Sequence, residues 1–151
     1  MVQSEPGPAE VLNVGLLLFI PYRAMEGRIF AELAAAGFDD FTPAQARVMQ
    51  RIGPAGTRLT ELAAAAQVTK QTAGFLVDQL ERTGYVRRSP DPSDARARLV
   101  HIAERGRAAQ PVAAAVVRAI EAEWQAHLGP RRWRQLRESL VALREITDPY
   151  R

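Results

Sequence analysis

The chain has 151 residues, of which 47% are hydrophobic and 25% charged, and this suits one domain or a small module with helical extensions. It contains no cysteine, so disulfides, thiolate zinc sites and cysteine nucleophiles are excluded. The apolar run at residues 16–20 is far shorter than the roughly 20 residues that span a bilayer, and it lacks the flanks of a signal peptide. We therefore expect a cytoplasmic protein without a membrane partner.

The positive charge is concentrated in the middle of the chain. Residues 58–107 contain nine basic and six acidic side chains, which accounts for the whole net charge of +3. Lys70 is the only lysine, and the planar guanidinium of the many arginines suits phosphate and guanine. The segment indicates a nucleic-acid partner, although a solvated arginine-rich surface explains so small an excess equally well.

The N-terminal part predicts an arm followed by a long helix. Residues 1–8 contain glycine and two prolines without periodicity, and we expect them to be disordered. Apolar residues recur at helical spacing over residues 9–36. Pro21 removes a backbone donor, which predicts a kink near residues 17–21.

Three short helices are predicted next. Residues 42–45, Thr-Pro-Ala-Gln, form a capping box for a helix that ends near residue 52. We expect Thr60 to cap a second helix through residue 66. After a tight turn at residues 67–68, Thr69 is expected to cap a third helix that runs to about residue 82, before Gly84. Its predicted buried face consists of Ala73, Leu76, Val77 and Leu80.

The pattern then changes from helix to strand and back. Residues 85–88 and 98–102 are typical of strands, and the turn-forming residues 89–94 between them predict a β-hairpin with a long tip. Helix resumes over residues 103–128, with a bend at Pro111. Residues 131–146 form a last amphipathic helix after a Gly-Pro break.

A short helix, a tight turn, a second helix and a hairpin within fifty residues indicate a winged helix-turn-helix, which presents its second helix to the major groove. The predicted fold class is mainly α with a small β-wing. We assign residues 9–38 to an N-terminal dimerisation helix, residues 39–102 to the winged DNA-binding module and residues 103–151 to C-terminal dimerisation helices. Because the module closes its own small core, the apolar stripes of the terminal helices need a second copy of the chain.

The N-terminal end of the second helix supplies candidate DNA contacts. Gln71 can read adenine, Lys70 can reach guanine or a phosphate, and Phe75 can meet a thymine methyl group or be partly buried. Gly74 weakens the helix, which a site that needs close approach of the protein backbone would justify. The candidate set is Thr69, Lys70, Gln71, Thr72, Gly74 and Phe75.

The predicted wing supplies further candidates. Asp94 lies two residues before Arg96, so in a strand its carboxylate can hold the guanidinium outward for a narrow minor groove. The other interpretation is a surface ion pair of little energetic value. Arg87, Arg88 and Arg98 flank this pair as phosphate partners.

Several of these segments together resemble one known family. They are LTELA at residues 59–63, VTKQT at 68–72, LERTGYV at 80–86, PDPSDAR at 90–96 and ERG at 104–106. They resemble the MarR family of bacterial transcription factors. The resemblance implies a homodimer on a pseudo-palindromic operator in double-stranded DNA, with recognition-helix contacts at residues 69–72 and a wing pair at Asp94 and Arg96. Ala95, Phe75 and Ala103 depart from the family pattern.

The resemblance also implies a small-molecule effector bound between the dimerisation and DNA-binding regions. Aromatic walls and one cation that would suit a small aromatic or phenolic acid come from Phe19, Tyr22, Arg23, Phe38, Phe41 and Trp124. The other interpretation of these aromatics is packing in the core, which is the usual role of aromatic residues at helical spacing. His101 and His127 have no partner at metal-ligand spacing, so we predict no metal and no cofactor.

We therefore predict a sequence-specific DNA-binding transcriptional regulator, acting as a repressor and released by a small aromatic ligand. The alternative is a winged-helix architectural DNA binder or a protein–protein adaptor. An enzyme is disfavoured because the sequence has no nucleophile–base pair, metal cluster or phosphate-binding loop.

Overall fold

The computed structural model describes residues 11–148, so the predicted arm at residues 1–8 lies outside the described residues. Six helices and a three-stranded antiparallel sheet of order β1-β3-β2 make up these residues, which confirms the mainly α class with a β-wing. The elements are α1 (Val14–Ala35), α2 (Pro43–Met49), β1 (Thr57–Arg58), α3 (Leu59–Ala65), α4 (Lys70–Arg82), β2 (Val86–Asp91), β3 (Asp94–Ile102), α5 (Glu104–Leu128) and α6 (Pro130–Thr147).

Helix α1 begins later than the apolar periodicity predicts. The side chain of Asn13 accepts a hydrogen bond from the backbone N–H of Leu16 at 3.0 Å and caps the helix there. Pro21 lies inside α1, about two turns after its start, and the helix continues past it. The segment around Pro21, where we expected a kink, is therefore part of one helix.

Helix α2 begins at the predicted capping box. The Thr42 hydroxyl accepts from the Gln45 backbone N–H at 3.2 Å, and the Gln45 side-chain oxygen accepts from the Thr42 N–H at 2.9 Å. The Gln45 amide also donates to the side chain of Gln79 on α4 at 2.8 Å. A local sequence signal thus fixes the start of α2, and the same residue joins α2 to α4.

The predicted Thr60 cap is wrong because the sequence pattern did not reveal β1. Thr57 and Arg58 pair with Val100 and Leu99 of β3, so the backbone is extended up to Arg58. Helix α3 starts directly after this strand, its N-cap residue is Arg58, and no side chain caps it. Thr60 consequently lies inside the helix.

The predicted long tip of the hairpin is also wrong. Strand β2 continues to Asp91 and strand β3 begins at Asp94, which leaves a turn of two residues, Pro92 and Ser93. Pro90 lies within β2 and pairs with Arg98. Because β2 is an edge strand, it tolerates a residue that cannot donate to the ladder.

The core lies between α3, α4 and the sheet, and α1 and α5 close it. All four residues of the predicted α4 face are buried, as expected from their spacing. Tyr85 is fully buried at the centre, with its ring 4.9 Å from that of Phe41. Leu33 of α1 and Ala109 of α5 pack against the same cluster. By contrast, α6 has no buried side chain within the described part of the chain.

Tyr85 also carries the main polar contact of the core. Its hydroxyl donates to Asp40 at 2.5 Å, and the Arg105 guanidinium binds the other oxygen of Asp40 at 2.5 Å and lies 4.6 Å from the ring centre. Burial, followed by the bond to Asp40, raises the pKa of Tyr85. The residue therefore stays neutral and joins the α1–α2 connection to the start of α5.

The first turn of α5 packs closely against the base of the wing at Gly106. A Cβ atom at this position would lie 2.4 Å from the Tyr85 carbonyl oxygen and 2.8 Å from Cγ2 of Ile102. We expect Gly106→Ala to lower the free energy of unfolding by about 1–3 kcal/mol, because α5 must move away from the sheet. Urea denaturation at one fixed protein concentration measures this difference.

The matched control for this prediction is Gly27→Ala on α1. A Cβ at Gly27 would meet no neighbouring group of the described chain within 4 Å. We expect this variant to be as stable as the original protein or more stable by up to about 1 kcal/mol. Equal effects of the two substitutions would contradict the close packing at Gly106.

Candidate nucleic-acid interface

The N-terminal end of α4 is exposed, and the side chain of its N-cap residue forms hydrogen bonds there. The Thr69 hydroxyl accepts from the Thr72 backbone N–H at 3.0 Å and lies 2.9 Å from the Thr72 hydroxyl. Lys70 and Gln71 are exposed beside this cap. The tight turn before the helix places Gln67 in the left-handed region, at a φ of 58°. The two threonines therefore shape the helix end, while Lys70 and Gln71 project from it.

Phe75 and Gly74 lie one turn further along α4. Phe75 is 58% exposed within the described chain, so more than half of its surface is open to a partner. A Cβ at Gly74 would lie 3.7 Å from Cδ2 of Leu59, which is an ordinary contact. Internal packing thus does not require a glycine at this position.

Arg87, Arg96 and Arg98 are exposed on the wing, whereas Arg88 is not. The side chain of Arg88 is only 15% exposed and forms ion pairs with Asp78 at 2.8 Å and Glu81 at 3.2 Å, both on α4. The structure therefore makes Arg88 a link between β2 and α4. This differs from the free phosphate partner expected from the sequence, which could not show the two acids on the facing helix.

The expected contact between the Asp94 carboxylate and the Arg96 guanidinium is replaced by a backbone contact. Asp94 accepts a hydrogen bond from the backbone N–H of Arg96 at 3.0 Å. The short turn places Asp94 at the first position of β3, where its carboxylate closes a local turn. The side chain of Arg96 remains exposed on the wing.

A polar cluster at the wing turn is absent from the sequence predictions. Arg58 Nε donates to Asp91 at 2.6 Å, and the other Asp91 oxygen accepts from the Ser93 N–H at 2.8 Å and the Ser93 hydroxyl at 2.7 Å. The Ser93 bonds, followed by that of Arg58, lower the pKa of Asp91 to about 2. The Asp-Pro-Ser order signals the local turn, but nothing in the sequence marks Arg58 as its partner.

A cavity of about 350 Å³ lies between α1, α2 and α5. Its lining is mostly apolar and includes Met25, Ile29, Phe30, Leu33, Phe41 and Met49. One wall carries the buried Glu26, which accepts from the Tyr22 hydroxyl at 2.9 Å and from Arg47 of α2 at 3.3 Å, and which pairs with Arg23. Burial alone would raise the pKa of Glu26, but these partners outweigh burial and hold it below its ordinary value. The cavity therefore combines an apolar interior with an ionised polar wall.

The six predicted ligand-binding residues do not meet in one pocket. Tyr22 and Phe41 line the cavity, whereas Phe19 and Trp124, again with Tyr22, line a more open groove of about 850 Å³ between α1, α5 and α6. Phe38 packs 6.5 Å from the Tyr85 ring, measured between centroids. Arg23 is half exposed and paired with Glu26. Glu26 and Arg47 are absent from the sequence predictions, because their pairing depends on how α2 packs against α1.

Two further features of the described residues bear on function. Within residues 11–148, no group of three or more histidine, aspartate or glutamate side chains is placed to hold a metal ion. His101 is hydrogen-bonded to the Ser89 hydroxyl at 2.7 Å. None of the helices described above is long and apolar enough to cross a membrane.

Known proteins resemble this chain in both sequence and structure. The model of the MarR family matches residues 39–97. The crystal structure of MarR is 25% identical, covers 90% of this chain and 98% of its own, and superposes with a TM-score of 0.73. A MarR family protein of Mycobacterium tuberculosis, in complex with salicylic acid, is 29% identical and covers 87% of this chain and 96% of its own, with a TM-score of 0.62.

The transcriptional repressor CouR, bound to a 23-mer DNA duplex, is 24% identical, covers 93% of this chain and 98% of its own, and has a TM-score of 0.70. None of the curated proteins matches the sequence. The match over the winged module and the shared architecture over almost the whole chain confirm the resemblance found in the sequence. Residues 39–97 are similar to the MarR family of DNA-binding winged helix-turn-helix transcriptional regulators, and the described chain shares the fold of the solved members named above.

Proposed function

We propose that this protein is a homodimeric repressor that binds a pseudo-palindromic operator and is released by a small aromatic ligand. The observation that carries the proposal is the exposed, capped end of α4 together with an arginine-bearing wing. Such an arrangement fits a helix in the major groove and a wing along the adjacent backbone or minor groove. The DNA duplex bound by CouR supports this reading.

The exposed side chains divide into base readers and backbone contacts. Gln71 and Lys70 project where they can reach base edges, and Phe75 supplies an apolar surface for a thymine methyl group. Arg87 and Arg98 suit phosphates, and Arg96 suits a narrow minor groove. Sequence preference would therefore come mainly from α4, and sequence-independent affinity from the wing.

Dimerisation is supported by apolar surface that one chain leaves uncovered. Residues 16–20 of α1, at the start of the helix, are each 43–55% exposed, and Ile146 of α6 is 83% exposed. Leu136, Leu140 and Leu143 are exposed on α6 as well. A helix of 18 residues with such a stripe is stable only when the stripe is covered. A second copy of the chain, which carries the same two stripes, is the partner that covers both.

The effector is supported by the cavity between α1, α2 and α5. Its volume of about 350 Å³ falls in the range of small-molecule pockets, and its apolar walls with a few polar groups are typical of them. The salicylic acid complex of the mycobacterial relative supports a small aromatic ligand. Because the cavity lies between α1 and the winged module, a bound ligand would act on the position of that module in the dimer.

The division of roles on DNA is tested with Gln71→Ala and Arg96→Ala. We expect Gln71→Ala to lose about 1–3 kcal/mol of discrimination at one base step. Arg96→Ala should weaken binding to every duplex and reduce the log–log salt slope by about one unit. Fluorescence anisotropy with the duplex upstream of the protein's own gene and a random duplex, at several salt concentrations, measures both effects.

Unchanged affinity in both variants would contradict these roles. Equal, weak binding of the original protein to both duplexes would favour an architectural DNA binder instead of a repressor. A preference for the upstream duplex that Gln71→Ala reduces would support sequence reading by α4.

The dimer is tested with Leu140→Glu on α6. We expect the original protein to show twice the chain mass of 16.7 kDa by light scattering, and the variant to dissociate because a carboxylate cannot be buried in an apolar interface. Gln135→Glu, which is exposed on the same helix, is the matched control and should remain dimeric. A monodisperse monomer of the original protein at micromolar concentration would overturn the proposal.

The effector site is tested with Ala113→Leu on α5. Ala113 lines the cavity, so the larger side chain occupies ligand space. We expect the variant to bind DNA within about twofold of the original protein but to lose release by salicylate, since the ligand no longer fits. Ala108→Leu, at an exposed position of α5, should keep the response. Equal salicylate responses in all three proteins would place the effector elsewhere.

A further inference from the structure

The contacts of Arg58 connect two elements that the proposed function assigns to DNA. We propose that Arg58 and Asp91 are positioning residues that fix the wing turn relative to the helix-turn-helix, so that Arg96 is already ordered before DNA binds. This inference rests on the proposed contact between the wing and DNA. Neither residue needs to touch the DNA itself.

Both oxygens of the Asp91 carboxylate accept hydrogen bonds, although the residue lies near the tip of a hairpin. Only 7% of the residue is exposed, and its two oxygens accept three hydrogen bonds. Arg58 uses a second nitrogen, Nη2, to donate to the Ser93 hydroxyl at 3.1 Å. Arg58, Asp91 and Ser93 therefore form a closed network around the turn, and both ends of that turn are held.

Because of the position of Arg58 in the fold, the network connects the wing turn to the helix-turn-helix. Arg58 is the last residue of β1, pairs with Leu99 of β3, and is the N-cap residue of α3. Helix α3 is the first helix of the helix-turn-helix. One side chain thus ties the start of the DNA-binding helix pair to the turn of the wing.

The strand ladder does not hold the turn by itself. The register of β2 and β3 shifts between Pro90 and Asp91, immediately before the turn. Pro90 has no backbone N–H to donate there. The side-chain network lies where the backbone pairing is irregular, and the Asp94 bond to the Arg96 N–H continues the order into β3.

The energetic consequence concerns the free protein. A flexible turn would have to be ordered when the wing meets DNA, and that ordering reduces affinity. With the network in place, the ordering occurs during folding. The network therefore raises affinity for DNA without adding a DNA contact.

Asp91→Asn separates this role from simple electrostatics. Both Asp91 oxygens accept hydrogen bonds, so the NH₂ group of the variant must face a donor of Arg58 or of Ser93 in either orientation of the amide. The variant also raises the net charge of the chain from +3 to +4. Charge alone predicts equal or tighter DNA binding. Positioning predicts an affinity about three- to tenfold weaker. Glu104→Gln, which makes the same charge change at an exposed position of α5 outside the network, is the matched control and should bind DNA at least as tightly as the original protein.

The decisive experiment combines Asp91→Asn with Arg96→Ala in a double-mutant cycle on the upstream duplex at low salt, read by fluorescence anisotropy. We expect Asp91→Asn to weaken binding in the original protein and to have little further effect when Arg96 is absent. Its salt slope should stay within about half a unit of the original, because the phosphate contacts themselves remain.

The outcomes distinguish the inference from the proposed function. If Arg96→Ala leaves affinity unchanged, the wing contact is wrong and the positioning role is overturned with it. If Arg96→Ala weakens binding but Asp91→Asn does not, only the positioning role is wrong. A loss from Asp91→Asn that is equally large in both backgrounds would indicate general unfolding and would also overturn it.

Discussion

The fold depends on one buried hydroxyl group, that of Tyr85. A phenol at zero exposure must find a hydrogen-bond partner, and Asp40 provides it from the connection between α1 and α2. Arg105 of α5 neutralises the same carboxylate and also donates to the Thr83 carbonyl at 3.1 Å. Three segments that are distant in sequence therefore meet at one polar centre. The α4–β2 junction, from which α4 and the wing extend, is fixed to α1 and α5 there.

Local signals in the sequence predicted those features that residues within four positions of each other determine. The capping box at residues 42–45 and the buried face of α4 follow from helical spacing and cap chemistry alone, and both are confirmed. Strand β1 could not be found in this way, since two residues have no periodicity and their partner lies about 40 positions ahead. The wrong Thr60 cap and the wrong long tip both follow from the tertiary pairing of β3.

The same distinction between local and tertiary features applies to the candidate site. Exposure of Lys70, Gln71 and Phe75 follows from the face of a single helix, so the sequence could indicate it. Arg88 is paired with Asp78 and Glu81, and Arg58 is paired with Asp91. These ion pairs form between elements that only the folded chain brings together. Charge counting therefore overestimates the arginines that are free to meet phosphate, because it cannot tell a surface guanidinium from one already bound to a carboxylate.

Helix α2 has only two turns, yet its opposite faces contact different parts of the molecule. Pro43 and Arg47 line the internal cavity, while Gln45 is hydrogen-bonded to Gln79 on α4. A seven-residue helix is too short to absorb a shift on one face without moving the other. Under the proposed function this makes the two sites thermodynamically reciprocal: the factor by which an occupied cavity weakens DNA binding is the factor by which bound DNA weakens the cavity's affinity for its ligand. Operator-bound and free protein would then respond to different concentrations of the same ligand.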